Sequence, residues 1–191
     1  MGMTIGRLVI VGPGAVGSCV AAWLCEAGLD AVVHGRPGAM DRIEAEGIQH
    51  YEGKSGARTA RRLRPPVLRS LAGLDEDDLL LFCTKNRGLE EAASSAAAAS
   101  GARPFAISLA NGIDNQEILP RHFVRRAYGV VGFNCWLDEE GRAAWQNRGP
   151  LLLGTADNSF AAELSSLAKT LSLALPTSTS RRFGDAVHSK I

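Results

Sequence analysis

Between a short apolar run, Leu8 to Val11, and a helix-forming stretch, Ala15 to Ala27, stands Gly12-Pro13-Gly14-Ala15-Val16-Gly17. This G-x-G-x-x-G spacing constrains the fold more than any other feature of the chain. The first glycine permits a tight turn out of a buried strand. The second removes a Cβ, so that a pyrophosphate can approach the backbone, and the third lets helix and strand pack closely. Bound phosphates would face a helix N-terminus, whose free N–H groups and dipole favour anions. The pattern by itself is weak, since a plain strand-to-helix turn can also be rich in glycine. Its place between an apolar strand and a helix, close to the N-terminus, gives it force.

The rest of the chain repeats the strand-then-helix alternation. A second strand is expected at Ala31 to His34, leading through Gly35, Arg36 and Pro37 into a helix that ends near Glu46. Gly, Arg and Pro-Pro break up any helix between Gly47 and Arg69, so that stretch is read as an antiparallel excursion or hairpin. Leu79 to Thr84 reads as a buried strand, followed by an Ala/Ser-rich helix to about Ser100. Further strands are expected at Phe105 to Leu109, Ala127 to Phe133 and Leu151 to Leu153, with a turn at Glu139, Glu140 and Gly141. A helix from Phe160 to about Leu173 closes the domain. Alternation of this kind predicts an α/β fold of the Rossmann type, a mostly parallel sheet with helices on both faces.

Composition narrows the function classes. Hydrophobic residues make up 46% and charged residues 21%, with a formal net charge of +1, so no global field recruits nucleic acid or an anionic surface. The basic cluster Arg58, Arg61, Arg62, Arg64 and Arg69 is better read as a solvated strand or loop face. Cys19, Cys25, Cys83 and Cys135 form no CxxC pair and have no histidine at zinc-ligand spacing. No metal is expected, and the cysteines point to a reducing, cytoplasmic setting. No apolar run approaches the roughly 20 residues of a membrane span.

The cofactor follows from the tip of the second strand. Enzymes that use NAD place Asp or Glu there for the ribose 2′-OH, whereas this chain has His34-Gly35-Arg36, and Asp30 precedes the strand at the wrong end. An arginine at that tip can pair with a 2′-phosphate through charge-assisted hydrogen bonds. The expected cofactor is NADPH. Two more polar features end strands at the same crevice: Thr84-Lys85-Asn86 and Ala110-Asn111-Gly112. Lys190 stands far off in sequence, and exposed lysines are ordinarily solvated, so neither Lys85 nor Lys190 carries an assignment alone.

Taken together, these residues resemble the ketopantoate reductase (2-dehydropantoate 2-reductase) family over essentially the whole chain. The resemblance is carried by Gly12-Pro13-Gly14-Ala15-Val16-Gly17, Arg36, Leu81-Phe82-Cys83-Thr84-Lys85, Leu109-Ala110-Asn111-Gly112-Ile113 and Asp185-Ala186-Val187-His188-Ser189-Lys190. It implies NADPH-dependent reduction of a small-molecule 2-keto acid to a 2-hydroxy acid, ketopantoate to pantoate in the founding members, which belongs to pantothenate biosynthesis. It further implies Lys190 as general acid and electrostatic stabiliser, and Lys85 and Asn111 on the nicotinamide and substrate side, with Asn111 orienting the reacting groups. A homodimer is compatible with this reading; nucleic-acid and membrane partners are not expected. Family members run to about 300 residues, with a helical second domain that holds the substrate. The expectation is therefore a dinucleotide-binding domain over 1–180 and only the start of that helical domain over 181–191, the cofactor half of a reductase. The competing readings are an NADP(H)-binding module with no catalysis of its own, and another Rossmann reductase such as an opine or glycerol-3-phosphate dehydrogenase.

Overall fold

A strand of four apolar residues is stable only where both faces and both edges are covered. The first strand, β1 (Leu8–Val11), meets that condition, with every residue buried. The computed structural model describes residues 5–53, 59–111 and 115–188. Along the chain β1 is followed by α1 (Ala15–Glu26), β2 (Ala31–His34), α2 (Pro37–Glu46), β3 (Ile48–Glu52), β4 (Arg61–Leu63), β5 (Leu79–Phe82), α3 (Asn86–Ser100) and β6 (Phe105–Ser108). Then come α4 (Asn115–Ile118), β7 (Arg126–Val131), β8 (Cys135–Leu137), β9 (Ala143–Trp145), β10 (Leu151–Gly154), α5 (Ala161–Leu171), β11 (Thr177–Thr179) and α6 (Phe183–His188).

The main sheet has the order β11-β10-β7-β6-β5-β1-β2. Strands β2, β1, β5, β6 and β7 are parallel, β10 runs antiparallel to β7, and β11 is parallel to β10. This is the expected mostly parallel sheet. One face is covered by α1, α2 and α5 through Val20, Trp23, Met40, Ile43, Leu164 and Leu167. The other is covered by α3 and α6 through Leu89, Ala93, Ala96, Phe183 and Val187. Phe183 is held against Gly154, where any side chain would meet its ring at 2.5 Å, and it stacks on Tyr128 at 6.3 Å. The last described helix is thus packed on this sheet.

A second sheet, ordered β4-β3-β9-β8, lies against α1. Its β3–β4 pair is the antiparallel hairpin expected between Gly47 and Arg69. The pairing of β3 with β9, parallel and distant in sequence, was not expected, nor were the three-residue strands β8 and β9 on either side of the Glu139–Gly141 turn. Trp23 of α1 seats this sheet, meeting Trp145 edge-on at 5.7 Å and Phe133 at 5.0 Å.

Two differences at strand ends matter for the site. The strand expected from Leu79 to Thr84 stops at Phe82, which leaves Cys83, Thr84 and Lys85 as a turn into α3. The strand expected from Phe105 to Leu109 stops at Ser108, although Leu109 N–H still donates to the Phe82 carbonyl at 2.9 Å.

Candidate functional site

The chain leaves β1 for β2 on one side and returns through β5 on the other, so the strand order reverses between β1 and β5. Open parallel sheets bind ligands in the crevice outside the carboxyl ends of strands at such a point. Four turns meet here: Gly12–Gly14 after β1, Gly35–Arg36 after β2, Cys83–Lys85 after β5 and Leu109–Asn111 after β6.

The first turn shows why the three glycines are needed. Gly12 has φ +91°, and a Cβ there would also meet Thr84 Cγ2 at 2.7 Å. Its N–H donates to the His34 carbonyl at 2.9 Å, and its carbonyl accepts from Gly14 N–H at 2.8 Å. A Cβ on Gly17 would run into the Gly12 carbonyl and lie 3.1 Å from Cys83 Cβ, so helix and strand could not close on each other. Gly14 differs: a Cβ there meets nothing within 4 Å. It caps α1 with φ −80° and ψ −154°, and no side chain bonds the helix N-terminus. The residues therefore fit a dinucleotide diphosphate: an uncapped helix end faces open space that a Cβ on Gly14 would enter.

Neighbours missed in the sequence reading hold this turn. Ser18 is buried and donates through Oγ to the Pro13 carbonyl at 3.1 Å. Gly35 lets the β2 tip approach, since a Cβ there would lie 2.8 Å from Pro13 Cδ. A glycine at a strand end is the usual mark of such an approach; nothing local announces Ser18.

At the β2 tip Arg36 is exposed and caps α2, whose first residue is Pro37. Three arginines nearby are engaged. Arg69 pairs with Asp41 at 2.7 Å and Glu44 at 2.6 Å, Arg61 pairs with Glu26 at 2.8 Å, and Arg64 donates to the Glu44 and Ala45 carbonyls at 3.2 Å. Among the described residues no hydrogen bond or ion pair engages the Arg36 guanidinium. His34 points away, its Nδ1 donating to the Leu68 carbonyl at 2.8 Å.

Lys85 caps α3 and is exposed, and Asn111 is exposed just beyond β6. Gly112, Ile113 and Lys190 lie outside the described residues. The structure thus gathers Gly12 to Gly17, Arg36, Lys85 and Asn111 on one edge of one sheet. Burial pushes the Cys83 thiol behind the phosphate turn up to about 12, with a further contribution from Cys135, so it stands in its neutral form at ordinary pH.

A sequence model of the family described as ketopantoate reductase PanE/ApbA matches residues 8–158. The chain belongs to the ketopantoate reductase family. A curated member, 2-dehydropantoate 2-reductase of Pyrococcus horikoshii, is 29% identical over 148 residues, which are 78% of this chain and 47% of that protein. The chain spans about half the length of this relative. The crystal structure of a PanE/ApbA family ketopantoate reductase from Ralstonia eutropha matches with a TM-score of 0.78 and 25% identity, covering 97% of this chain and 60% of that one. D-mandelate dehydrogenase, in a ternary structure with NADH and anilino(oxo)acetate, shares the fold at a TM-score of 0.82 and 20% identity, with 97% and 60% covered. Among the described residues no helix is long and apolar enough to cross a membrane.

Proposed function

We propose that this chain holds NADPH along the carboxyl edge of its main sheet and forms the nucleotide-binding part of a reductase that converts a 2-keto acid to a 2-hydroxy acid. The observation that carries the reading is the conjunction at the β1/β5 reversal: an open, uncapped turn at Gly14, and beside it Arg36, whose guanidinium has no described partner. When bound, NADPH supplies the hydride that reduces a keto carbon. Backbone N–H groups of the Gly12–Gly17 turn and the α1 dipole would hold the diphosphate. Arg36 would take the 2′-phosphate, and no acidic residue stands at the β2 tip to prefer a ribose hydroxyl. This sets the proposed cofactor apart from the NADH held by the D-mandelate dehydrogenase neighbour.

On the nicotinamide side, Asn111 at the end of β6 would orient the reacting groups, with Lys85 of the adjacent turn lining the crevice. Family resemblance assigns Lys190 the proton and the positive charge that the developing alkoxide needs. Ketopantoate is the first 2-keto acid to test, with phenylglyoxylate as the aryl comparison prompted by the mandelate dehydrogenase neighbour.

Calorimetric titration of the chain with NADPH and NADH tests the cofactor half of the proposal. The expected result is NADPH binding at least about tenfold tighter, the equivalent of one charge-assisted contact. Equal affinities would overturn the assignment of Arg36 to a 2′-phosphate. Consumption of NADPH in the presence of each keto acid then tests the reaction.

A further inference from the structure

The Asn111 turn is held by two buried polar side chains that bond to one and the same residue. β6 ends at Ser108, which is fully buried. Its Oγ accepts from the Ala110 N–H at 3.2 Å. From the other side Asn115, only 3% exposed, donates through Nδ2 to the Ala110 carbonyl at 2.5 Å. Both backbone groups of Ala110 are therefore occupied, and the next residue is Asn111.

The second bond has a geometric consequence. A peptide unit is planar, so the Ala110 carbonyl, the Asn111 N–H and the Asn111 Cα share one plane. A donor that fixes the carbonyl fixes that plane, and with it where the Asn111 Cα sits and which way its N–H points. The donor itself has firm footing. Asn115 opens α4, which runs into a 3-10 turn whose Leu119 is fully buried, and Phe123 just beyond packs on Phe82 at 5.9 Å. Tyr128 Oη also reaches the neighbouring Gln116 carbonyl at 3.4 Å.

We infer that Asn115 is a positioning residue: it sets the Ala110–Asn111 peptide plane and so the placement of Asn111 against the nicotinamide end of a bound cofactor. The inference rests on the proposed role of Asn111. Ser108 supports the same turn from inside the sheet. Neither side chain touches the adenine end of the crevice at Arg36, which lies across β5 and β1 on β2.

That separation supplies the test. Binding of NADPH and of 2′,5′-ADP, which lacks the nicotinamide half, is measured on the wild-type chain and on Asn115→Ala, Asn115→Asp and Ser108→Ala. Loss of one buried hydrogen bond predicts NADPH binding weakened roughly three- to tenfold in Asn115→Ala. Asn115→Asp, which replaces the donor with an acceptor facing a carbonyl, should weaken it more. In both, 2′,5′-ADP should bind within about twofold of wild type, and the change in nicotinamide fluorescence on binding should shrink. Ser108→Ala leaves α4 untouched and should shift NADPH in the same direction even if the Asn115 variants fail to fold. Equal weakening of both ligands, or unchanged NADPH affinity and fluorescence in folded variants, would overturn the inference while leaving the nucleotide reading intact. A wild-type chain that binds neither ligand would overturn both.

Discussion

The two ends of the parallel sheet are built on opposite principles. At the amino end of β1 and β5 the buried carboxylate is closely matched. Asp78, almost fully buried, accepts from the Arg7 backbone N–H and Nε at 3.0 Å, from Arg7 Nη2 at 2.7 Å and from Asp75 N–H at 3.1 Å. Burial by itself would push this carboxyl up, but the bonds from Arg7 and Asp75 outweigh it and hold it below the ordinary carboxylate range. Glu26, where α1 finishes, is likewise gripped, by Arg61 and Arg148 at 2.8 Å. At the carboxyl end the groups stand open: an uncapped helix N-terminus, Arg36 with no described partner, and an exposed Lys85. The closed end holds the strands together, and the open end would keep its donors for the proposed cofactor. Stability and binding should therefore respond to different substitutions.

The largest expected effect falls at the open end. Gly14→Val puts a side chain where a diphosphate would lie and displaces contacts to backbone N–H groups, each worth about 1.5–3 kcal/mol when charge-assisted. NADPH affinity should drop by roughly a hundredfold or more, while circular dichroism and Tm stay near wild type because the new Cβ meets nothing within 4 Å. Gly17→Ala makes the complementary case: it forces a Cβ onto the Gly12 carbonyl and should cost about 1–3 kcal/mol of stability. Tight NADPH binding by a folded Gly14→Val variant would place the cofactor elsewhere.

Next in size is the closed end. Asp78→Ala strands the Arg7 and Asp75 donors and should destabilise the fold by about 2–3 kcal/mol, a fall in Tm of roughly 4–12 °C. NADPH affinity measured well below the new Tm should be unchanged. A selective loss of affinity with Tm intact would erase the distinction between the two ends.

Arg36→Ala should be smaller and purely selective. It is expected to remove the preference for NADPH over NADH, about tenfold or somewhat more, with NADH affinity and Tm unaffected. Persistence of the preference in this variant would assign the 2′-phosphate to another cation.

The smallest effect is a slope. His50 is fully buried and stacks on Trp145 at 5.1 Å. Burial lowers its pKa from 6.5; the Glu26 carboxylate opposes the shift, and Arg61 and Arg148 reinforce it. Below about pH 6.5 the unfolded chain binds a proton at this residue that the folded chain refuses, so stability falls as pH drops through that value and is fully present above it. Denaturant midpoints between about pH 7.5 and 5.5, above the range where carboxylates titrate, should decline for wild type and decline less for His50→Gln. Parallel slopes would show that His50 accepts its proton in place.

What could be read in the sequence follows the same division. β1, β2, β5 and β6 are short runs buried on both faces, and such runs announce themselves by composition. The Gly12–Gly17 turn is legible because its demands are local and fall at fixed spacing. The second sheet was legible only in its β3–β4 hairpin: β8 and β9 have three residues each, too few to display a period, and β3 finds β9 only across about half of the chain. The same holds for the residues that support the site. Gly35 acts through Pro13, which only the fold brings near, and Ser18 and Asn115 bond carbonyls five residues back, a spacing that no regular element announces; an isolated Ser, Gly or Asn reads first as a turn residue.

The seating of the small sheet has an optical consequence. Trp23 and Trp145 are fully buried, touch edge-on, and have the Arg148 guanidinium at 5.8 and 5.4 Å from their rings. Of the chain's three tryptophans these two sit where α1 meets β9, and the third, Trp136, lies half-buried on the neighbouring strand β8. Intrinsic emission is therefore a gauge of whether the four strands remain docked on α1. It should shift to the red when they peel away, even if the glycine turn at the opposite end of that helix still held the proposed cofactor.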